Sequence, residues 1–234
     1  MNSGLRTAAR VRPYLWGALV CALLALVGFA RTYYLKGLFG TPQLPPQLHI
    51  HGLIMSAWCA LFVAQACLVS ARRVDIHRRL GIVGAGLALL VVVIGCYLTI
   101  SATAREVHSH VVRQFHVLFG FNLLNLAVFV GLLSTALAFR RKPEFHKRLM
   151  LLAFISLLPP AIARTTLLFT PDQAAQMWAV NVVVVSFVAV DVIRHRRLHP
   201  AFGWGALALL VPLNAGYVLF QTDPWTRFVT RLFS

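Results

Sequence analysis

An all-α integral membrane protein, built as a single bundle of about seven transmembrane helices, is the fold class that this sequence predicts. Of its 234 residues, 59% are hydrophobic and 12% are charged, whereas about 25% of the residues in a soluble domain are charged. Apolar runs of near-spanning length follow one another along the chain, and most basic residues lie in every second connection between them. The remaining length is too short for a separate globular domain.

Seven apolar runs approach the roughly 20 residues that a helix needs to cross the hydrocarbon core. They lie at Tyr14–Tyr34, His49–Ser70, Leu80–Thr103, Phe115–Phe139, Leu149–Phe169, Met177–Ile193 and Ala201–Phe220. We therefore expect a cytoplasmic segment at residues 1–13, one transmembrane domain at 14–220 and a short extracytoplasmic tail at 221–234. Pro159-Pro160 should kink or break the fifth run, because proline has no amide donor.

The first apolar run has two interpretations. Arginines precede it, and Gly28 and Ala30 form a possible small-x-small cleavage site, as in a secretory signal peptide. The run and its aromatic end are nevertheless long enough to span the membrane, so we expect it to be retained. The other six runs keep the same topology in either case.

The basic residues predict the orientation. Alternate connecting segments contain fifteen of them on one side of the predicted bundle, at Arg6, Arg10, Arg12, Arg72, Arg73, Arg78, Arg79, Arg140, Arg141, Lys142, Lys147, Arg148, Arg194, Arg196 and Arg197. The opposite segments contain six, and Arg164 lies inside a run. The richer side should be cytoplasmic, which predicts a cytoplasmic amino terminus and an external carboxyl terminus.

The formal charge of +16 would suggest nucleic acid as the partner of a soluble protein. Here the basic residues form short clusters between apolar runs, where the positive-inside bias and anionic lipid headgroups account for them. We expect the lipid bilayer to be the partner, and not nucleic acid.

Similar phrases recur where three of the predicted helices begin: His77-Arg78-Arg79-Leu80-Gly81, His146-Lys147-Arg148-Leu149-Met150 and His199-Pro200-Ala201-Phe202-Gly203. They indicate that helices two and three, four and five, and six and seven are three related hairpins. The alternative is that basic interface residues followed by glycine recur by chance in membrane proteins.

Histidines mark four consecutive helices. His51 and His116 lie near the outer ends of the second and fourth, and His77 and His146 near the inner starts of the third and fifth. If these helices form a four-helix core, the histidines make two facing pairs, one on each side of the membrane. Haem b takes two axial imidazoles from neighbouring helices in such cores.

In this layout the sequence resembles the transmembrane ascorbate-reducible cytochromes b. In that family the second and fourth helices supply the axial histidines of one haem, and the third and fifth those of another. The resemblance implies haem b on His51 with His116 and on His77 with His146. The phrases around His77 and His146, and nearly the whole chain, more closely resemble a family of bacterial multi-helix membrane proteins of unknown function. This resemblance implies the fold and a location in a bacterial inner membrane, and little else.

A metal site is the alternative use of the outer histidines. His49-x-His51 and His108-x-His110, followed by His116, place five imidazoles near one interface. That set is sufficient for copper, zinc or iron. Interfacial histidines that are simply solvated would have the same pattern.

Arg164 is the most informative single polar residue, because it lies inside the fifth run about one turn after Pro159-Pro160. A guanidinium there is suited to a haem propionate, a quinone oxygen or a lipid phosphate. Alternatively, its long side chain extends from the span to the outer headgroups.

Other polar residues at membrane depth have structural explanations. Asn122, Asn125, Asn181, Asn214 and Gln65 are amides of the kind that hold helices together. Asp191 has Arg194 three residues later, which predicts a local ion pair near the cytoplasmic surface.

The leading functional hypothesis is a redox protein that binds haem b or a metal and passes electrons to a quinone or a redox partner protein. The sequence contains no phosphate-binding glycine loop, nucleophile elbow or metalloprotease signature, and it identifies no catalytic residue. The competing hypothesis is a membrane scaffold, assembly factor or small permease without a cofactor.

Overall fold

The structure is a computed structural model that describes residues 2–106 and 112–233, with side chains from residue 14 onward. The described residues form helices and no strands. The helices are α1 (Asn2–Phe29), α2 (Pro46–Ser70), α3 (Val74–Glu106), α4 (Val112–Ala138), α5 (Pro143–Ile155), α6 (Pro159–Thr166), α7 (Gln173–His195), α8 (Pro200–Leu219) and α9 (Asp223–Phe233). A π-helical turn at Ala30–Tyr34 continues α1.

Six of the described helices are long and apolar enough to cross a membrane: α1 from Tyr14, α2, α3, α4, α7 and α8. The pair formed by α5 and α6 makes a seventh if it counts as one span, and it is bent by 48° at its break. The length and apolar composition of these helices confirm the prediction of an all-helical, multi-pass membrane protein.

The break in the fifth run lies where the two prolines predicted it. Pro159 and Pro160 lack the amide hydrogens that would continue the ladder of α5, so the helix ends at Ile155 and α6 begins at Pro159. The Ser156 hydroxyl compensates locally by donating to the carbonyl oxygen of Ala153 at 2.8 Å.

Helix starts follow rules that are visible in the sequence. Proline occupies the first turn of α2, α5 and α8, where an amide hydrogen would have no helical partner. The Asp172 carboxylate caps α7 by accepting hydrogen bonds from the backbone amides of Ala174 and Ala175. Helices α2, α4, α7 and α8 therefore begin within about four residues of the predicted runs. Helices α1, α3 and α5 begin further upstream, at Asn2, Val74 and Pro143. As a result, α3 includes His77 and α5 includes His146.

The chain divides into two compact units, with α3 contributing to both. The first unit holds the described residues up to Val91 together with Pro160–Pro171. Within it α1 packs along α2, and Gly28 of α1 lies directly against the backbone of Ala161 in α6. Only a residue without a side chain permits so close an approach.

The second unit holds the described residues of Val92–Pro159 and Asp172–Ser234. Helix α4 packs against α5 and α8, and α8 also contacts α7. Its fully buried side chains include Phe129, Leu152, Phe154, Leu209 and Leu213. The apolar core is therefore concentrated where these four helices meet.

Many apolar side chains point away from both cores. Among them Leu53, Ile82, Trp178, Trp204 and Val218 are each more than 65% exposed in the protein alone. Exposed apolar surface on helices of spanning length is typical of contact with lipid tails.

The expected short tail contains a folded element, the amphipathic helix α9. Its apolar side packs on α4, with Val229 fully buried and the rings of Phe119 and Phe233 in edge-to-face contact at 5.4 Å. The sequence analysis missed this helix because its apolar residues are too few for a span. Their helical spacing is the signal that could have identified it.

Candidate cofactor site

His116 is the most unusual polar residue of the second unit. It lies in the second turn of α4, its side chain is 0% exposed, and neither ring nitrogen has a hydrogen-bond partner among the described residues. Burying a polar group without a partner costs on the order of 1–3 kcal/mol, and buried polar groups in native structures are almost always bonded. Both ring nitrogens are therefore uncommitted within the described part of the chain.

Aromatic side chains lie beside this histidine. The Trp225 indole of α9 donates a hydrogen bond to the backbone oxygen of His116 at 2.9 Å. The rings of Phe119 and Phe220 lie 6.4 and 4.6 Å from Trp225. These contacts place a cluster of apolar rings beside the backbone of His116.

Helix α9 is held over this end of α4 by polar contacts at its start. Arg113 donates to the Asp223 carboxylate at 3.2 Å and to the Gln221 backbone oxygen at 2.5 Å. Both charged side chains of this pair are more than half exposed, so its contribution to stability is small. The fully buried Val229 and the ring contacts of Trp225 add apolar packing to this attachment.

His51 belongs to the first unit and lies in the second turn of α2. Its side chain is half-buried, and Nδ1 has no hydrogen-bond partner among the described residues. The next residue, Gly52, is in contact with the Tyr33 ring, which brings the end of α1 close to this turn of α2.

Arg164 lies on α6 in the same unit as His51. Its guanidinium carbon is 4.6 Å from the centroid of the Phe29 ring, and Nη1 donates to the Pro160 backbone oxygen at 2.9 Å. No described carboxylate forms an ion pair with it. The residue is exposed, so the guanidinium is accessible to an anion.

Of the inner histidines, His146 has an informative hydrogen bond. Its Nδ1 lies 2.8 Å from the backbone oxygen of Ala136, which as acceptor requires a proton on Nδ1. Metal-bound histidines commonly have this arrangement, because it orients the ring and leaves Nε2 as the basic nitrogen. His77 lies in the first turn of α3 and is half-buried.

The histidines that the sequence pairs belong to different units. His51 and His77 are in the first unit, and His116 and His146 are in the second. Neither pair lies within a single unit, so both pairings remain predictions from the sequence.

The alternative metal site is also still a prediction. His108 and His110 lie outside the described residues. Among the residues that are described, no group of three or more histidine, cysteine, aspartate or glutamate side chains is placed to hold a metal ion. His49 is exposed, and its backbone oxygen accepts a hydrogen bond from the Tyr33 hydroxyl at 3.2 Å.

A buried ion pair was missed by the sequence analysis, which counted Arg148 with the loop cations. Arg148 is 1% exposed and binds Asp191 of α7 through two hydrogen bonds of 2.9 and 3.0 Å. It also donates to the Glu144 carboxylate at 2.6 Å. The predicted Asp191–Arg194 pair is therefore wrong, and the Asp191 carboxylate joins α7 to α5.

The signal for this pair was present but ambiguous. Asp191 is one of only six acidic residues and lies in an apolar run, so it needs a cation. Arg194 was the nearest cation on the same helix. Its side chain is exposed, whereas Arg148 points into the core.

His199 lies close to these charges, just before α8. Its Nδ1 caps the helix by accepting from the Ala201 backbone amide at 3.2 Å. Burial lowers the pKa of His199, and the positive charge of Arg148 lowers it further. Both effects favour the neutral imidazole, which is the form that can accept this bond.

Asn181 and Asn214 confirm, for two of the five membrane amides, the prediction that such amides hold helices together. Each side chain donates to the other, at 3.0 and 2.9 Å, and this reciprocal pair joins α7 to α8. Both amides are thus satisfied within the protein, and neither is a candidate ligand. The oxygens of Asn125 and Gln65 are buried with no hydrogen-bond partner among the described residues.

Comparison of the chain with models of protein families, with curated proteins and with solved structures found no match, so the case for a function depends on the residues themselves.

Proposed function

We propose that this protein is a redox protein of the bacterial inner membrane that binds haem b through His116 and His51 and transfers electrons to a quinone or a redox partner protein. The observation that carries the proposal is the fully buried His116 imidazole, whose two ring nitrogens have no partner among the described residues. His51, half-buried with an unbonded Nδ1, is the second ligand that the sequence pattern predicts.

The residues near His116 are suited to an axial ligand. Haem iron needs one unprotonated imidazole nitrogen, and bonding to it removes the cost of burying that nitrogen without a partner. The apolar rings around Trp225 limit access of water, and a dry surrounding is one of the factors that set a haem potential. Bound haem b would supply the one-electron chemistry.

Arg164 would hold an anionic group. Its guanidinium stacks on Phe29 and bonds one carbonyl, so the remaining N–H donors are available to a propionate or a quinone oxygen. A second haem on His77 and His146 is supported by the hydrogen bond that orients the His146 ring. Copper, zinc or iron on the outer histidines is the alternative cofactor.

The test is a reduced-minus-oxidised visible spectrum of protein purified in mild detergent from haem-replete cells, together with an elemental metal scan of the same sample. We expect the sharp bands of bis-histidine haem. In the His116→Gly protein, the bands of the haem that His116 binds should disappear. Added imidazole should restore these bands in the His116→Gly protein, because it can occupy the space that the side chain leaves. Such rescue separates the loss of a ligand from misfolding.

His49→Ala is the matched control, since this histidine is exposed and two residues from His51. It should keep the haem spectrum. Metal without haem would move the site to the outer His-x-His pairs. A colourless, metal-free protein would refute the proposal and favour the scaffold, assembly factor or permease interpretation.

A further inference from the structure

An open groove lies on the second unit at the start of α8. The arginine-rich connection between α7 and α8 leads into this end of the helix. The groove has a volume of about 300 Å³ and is lined by Leu198, Pro200, Gly203, Trp204 and Leu207. The volume is at the lower end of the range of about 300–1,000 Å³ for ligand pockets. Its lining is almost entirely apolar, so its occupant must have an apolar part.

Two residues give the groove its shape. Gly203 has no side chain, and a Cβ placed there would come within 3.4 Å of Leu198, so a larger residue would fill the space between them. Trp204 is 75% exposed and forms one wall. Tryptophan is enriched at the membrane–water interface because its ring is apolar and its N–H is polar. The groove therefore lies at a position suited to a lipid chain next to its headgroup.

Two arginines come directly before the groove in the sequence, and neither is in an ion pair among the described residues. Arg196 and Arg197 immediately precede Leu198, and both are exposed. Asp191, the nearest acidic residue in the sequence, is buried and bound by Arg148. An anion from outside the protein is thus the available partner for these guanidinium groups.

We propose that this groove is a binding site for an anionic phospholipid. One acyl chain lies between Leu198, Gly203 and Trp204, and Arg196 and Arg197 bind the phosphate. Guanidinium binds phosphate through paired N–H donors, and basic pockets at the cytoplasmic surface are known to bind anionic headgroups. The site requires no haem, so it is independent of the function proposed above.

The test is native mass spectrometry of the detergent-solubilised protein, titrated with phosphatidylglycerol or with phosphatidylcholine of the same acyl chains. We expect tighter binding of phosphatidylglycerol. The double variant Arg196→Asn with Arg197→Gln should weaken phosphatidylglycerol binding about fivefold for each arginine removed. Its affinity for this lipid should then approach that for phosphatidylcholine. The asparagine suits position 196, where φ is 55°.

Gly203→Leu should weaken the binding of both lipids, because the leucine side chain would fill the groove. Gly131→Leu is its matched control, because nothing lies within 4 Å of a Cβ at Gly131. Arg140→Gln with Arg141→Gln removes the same charge from another loop and should leave the preference unchanged. Equal binding of the two lipids by the unaltered protein, or normal binding after Gly203→Leu, would overturn the proposal.

Discussion

Arg148 and His116 are both buried in the second unit, but only Arg148 has hydrogen-bond partners for its side-chain polar atoms among the described residues. Arg148 donates two hydrogen bonds to Asp191 and others to Glu144, so its charge is compensated inside the core. His116 is equally inaccessible, but its ring nitrogens are unbonded within the described residues. Since a buried charge is far more costly to leave unpaired than a neutral imidazole, Arg148 is expected to be structural and His116 is the better ligand candidate.

Removing Arg148 should destabilise the protein strongly. Arg148→Met leaves the Asp191 carboxylate buried without its principal cation, and we expect a loss of about 3–5 kcal/mol in the free energy of unfolding. Denaturant unfolding in detergent measures it. Adding Asp191→Leu to the same protein should recover most of the loss, because no unpaired charge then remains.

Arg194→Met is the matched control for this experiment. Arg194 is exposed and lies one turn from Asp191, where the sequence alone predicted the partner. Its removal should change stability by less than about 1 kcal/mol. A loss as large as that of Arg148→Met would contradict the assignment of the ion pair.

Between helices, small residues determine how closely the elements approach. A Cβ at Gly28 would overlap the backbone of Ala161, and one at Gly120 would lie 2.6 Å from the Phe220 ring. The first contact joins α1 to α6 within the first unit, and the second joins α4 to the end of α8 within the second. Backbone cannot move aside as a side chain can, so the contact at Gly28 is the more restrictive.

Gly28→Ala should therefore separate α1 from α6 and lower stability by about 1–3 kcal/mol, the usual cost of overpacking. Thermal unfolding of the detergent-solubilised protein would show this as a lower Tm. Gly86→Ala is the control, since nothing lies within 4 Å of a Cβ at that position. If both variants had the same Tm as the parent protein, the close contact at Gly28 would be refuted.

At the scale of the whole molecule, the helices are apolar enough for six or seven membrane crossings, and the distribution of basic residues predicts their direction. With a cytoplasmic amino terminus, the α1–α2 connection is external and the α4–α5 connection is cytoplasmic. Both the number of crossings and the direction can be tested together.

Single-cysteine variants in a cysteine-free background would do so. A membrane-impermeant thiol reagent should label Gly37→Cys in spheroplasts, and it should label Arg141→Cys only after permeabilisation, because both positions are exposed and belong to opposite connections. The reverse pattern would show that the amino terminus is external. Labelling of both in intact spheroplasts would show an even number of crossings between them.

Part of the architecture could be predicted because its physical cause is local. The membrane spans, the break at Pro159-Pro160 and the asparagine contacts follow from hydropathy, from a missing amide hydrogen and from amides placed in apolar runs. Helix α9 could not be found in the same way, because a helix of this size is stabilised by its packing on α4.

The sequence by itself determined which segments leave water, because transfer into a bilayer is approximately a sum over the residues of each segment. It also identified the histidines and Arg164 as the polar groups to examine. Only the tertiary structure decided which of these groups are bonded. Arg148 and Asp191 are separated by 43 positions, and Trp225 and His116 by 109. Hydrogen bonds depend on ångström distances between such remote residues, and no local pattern contains those distances.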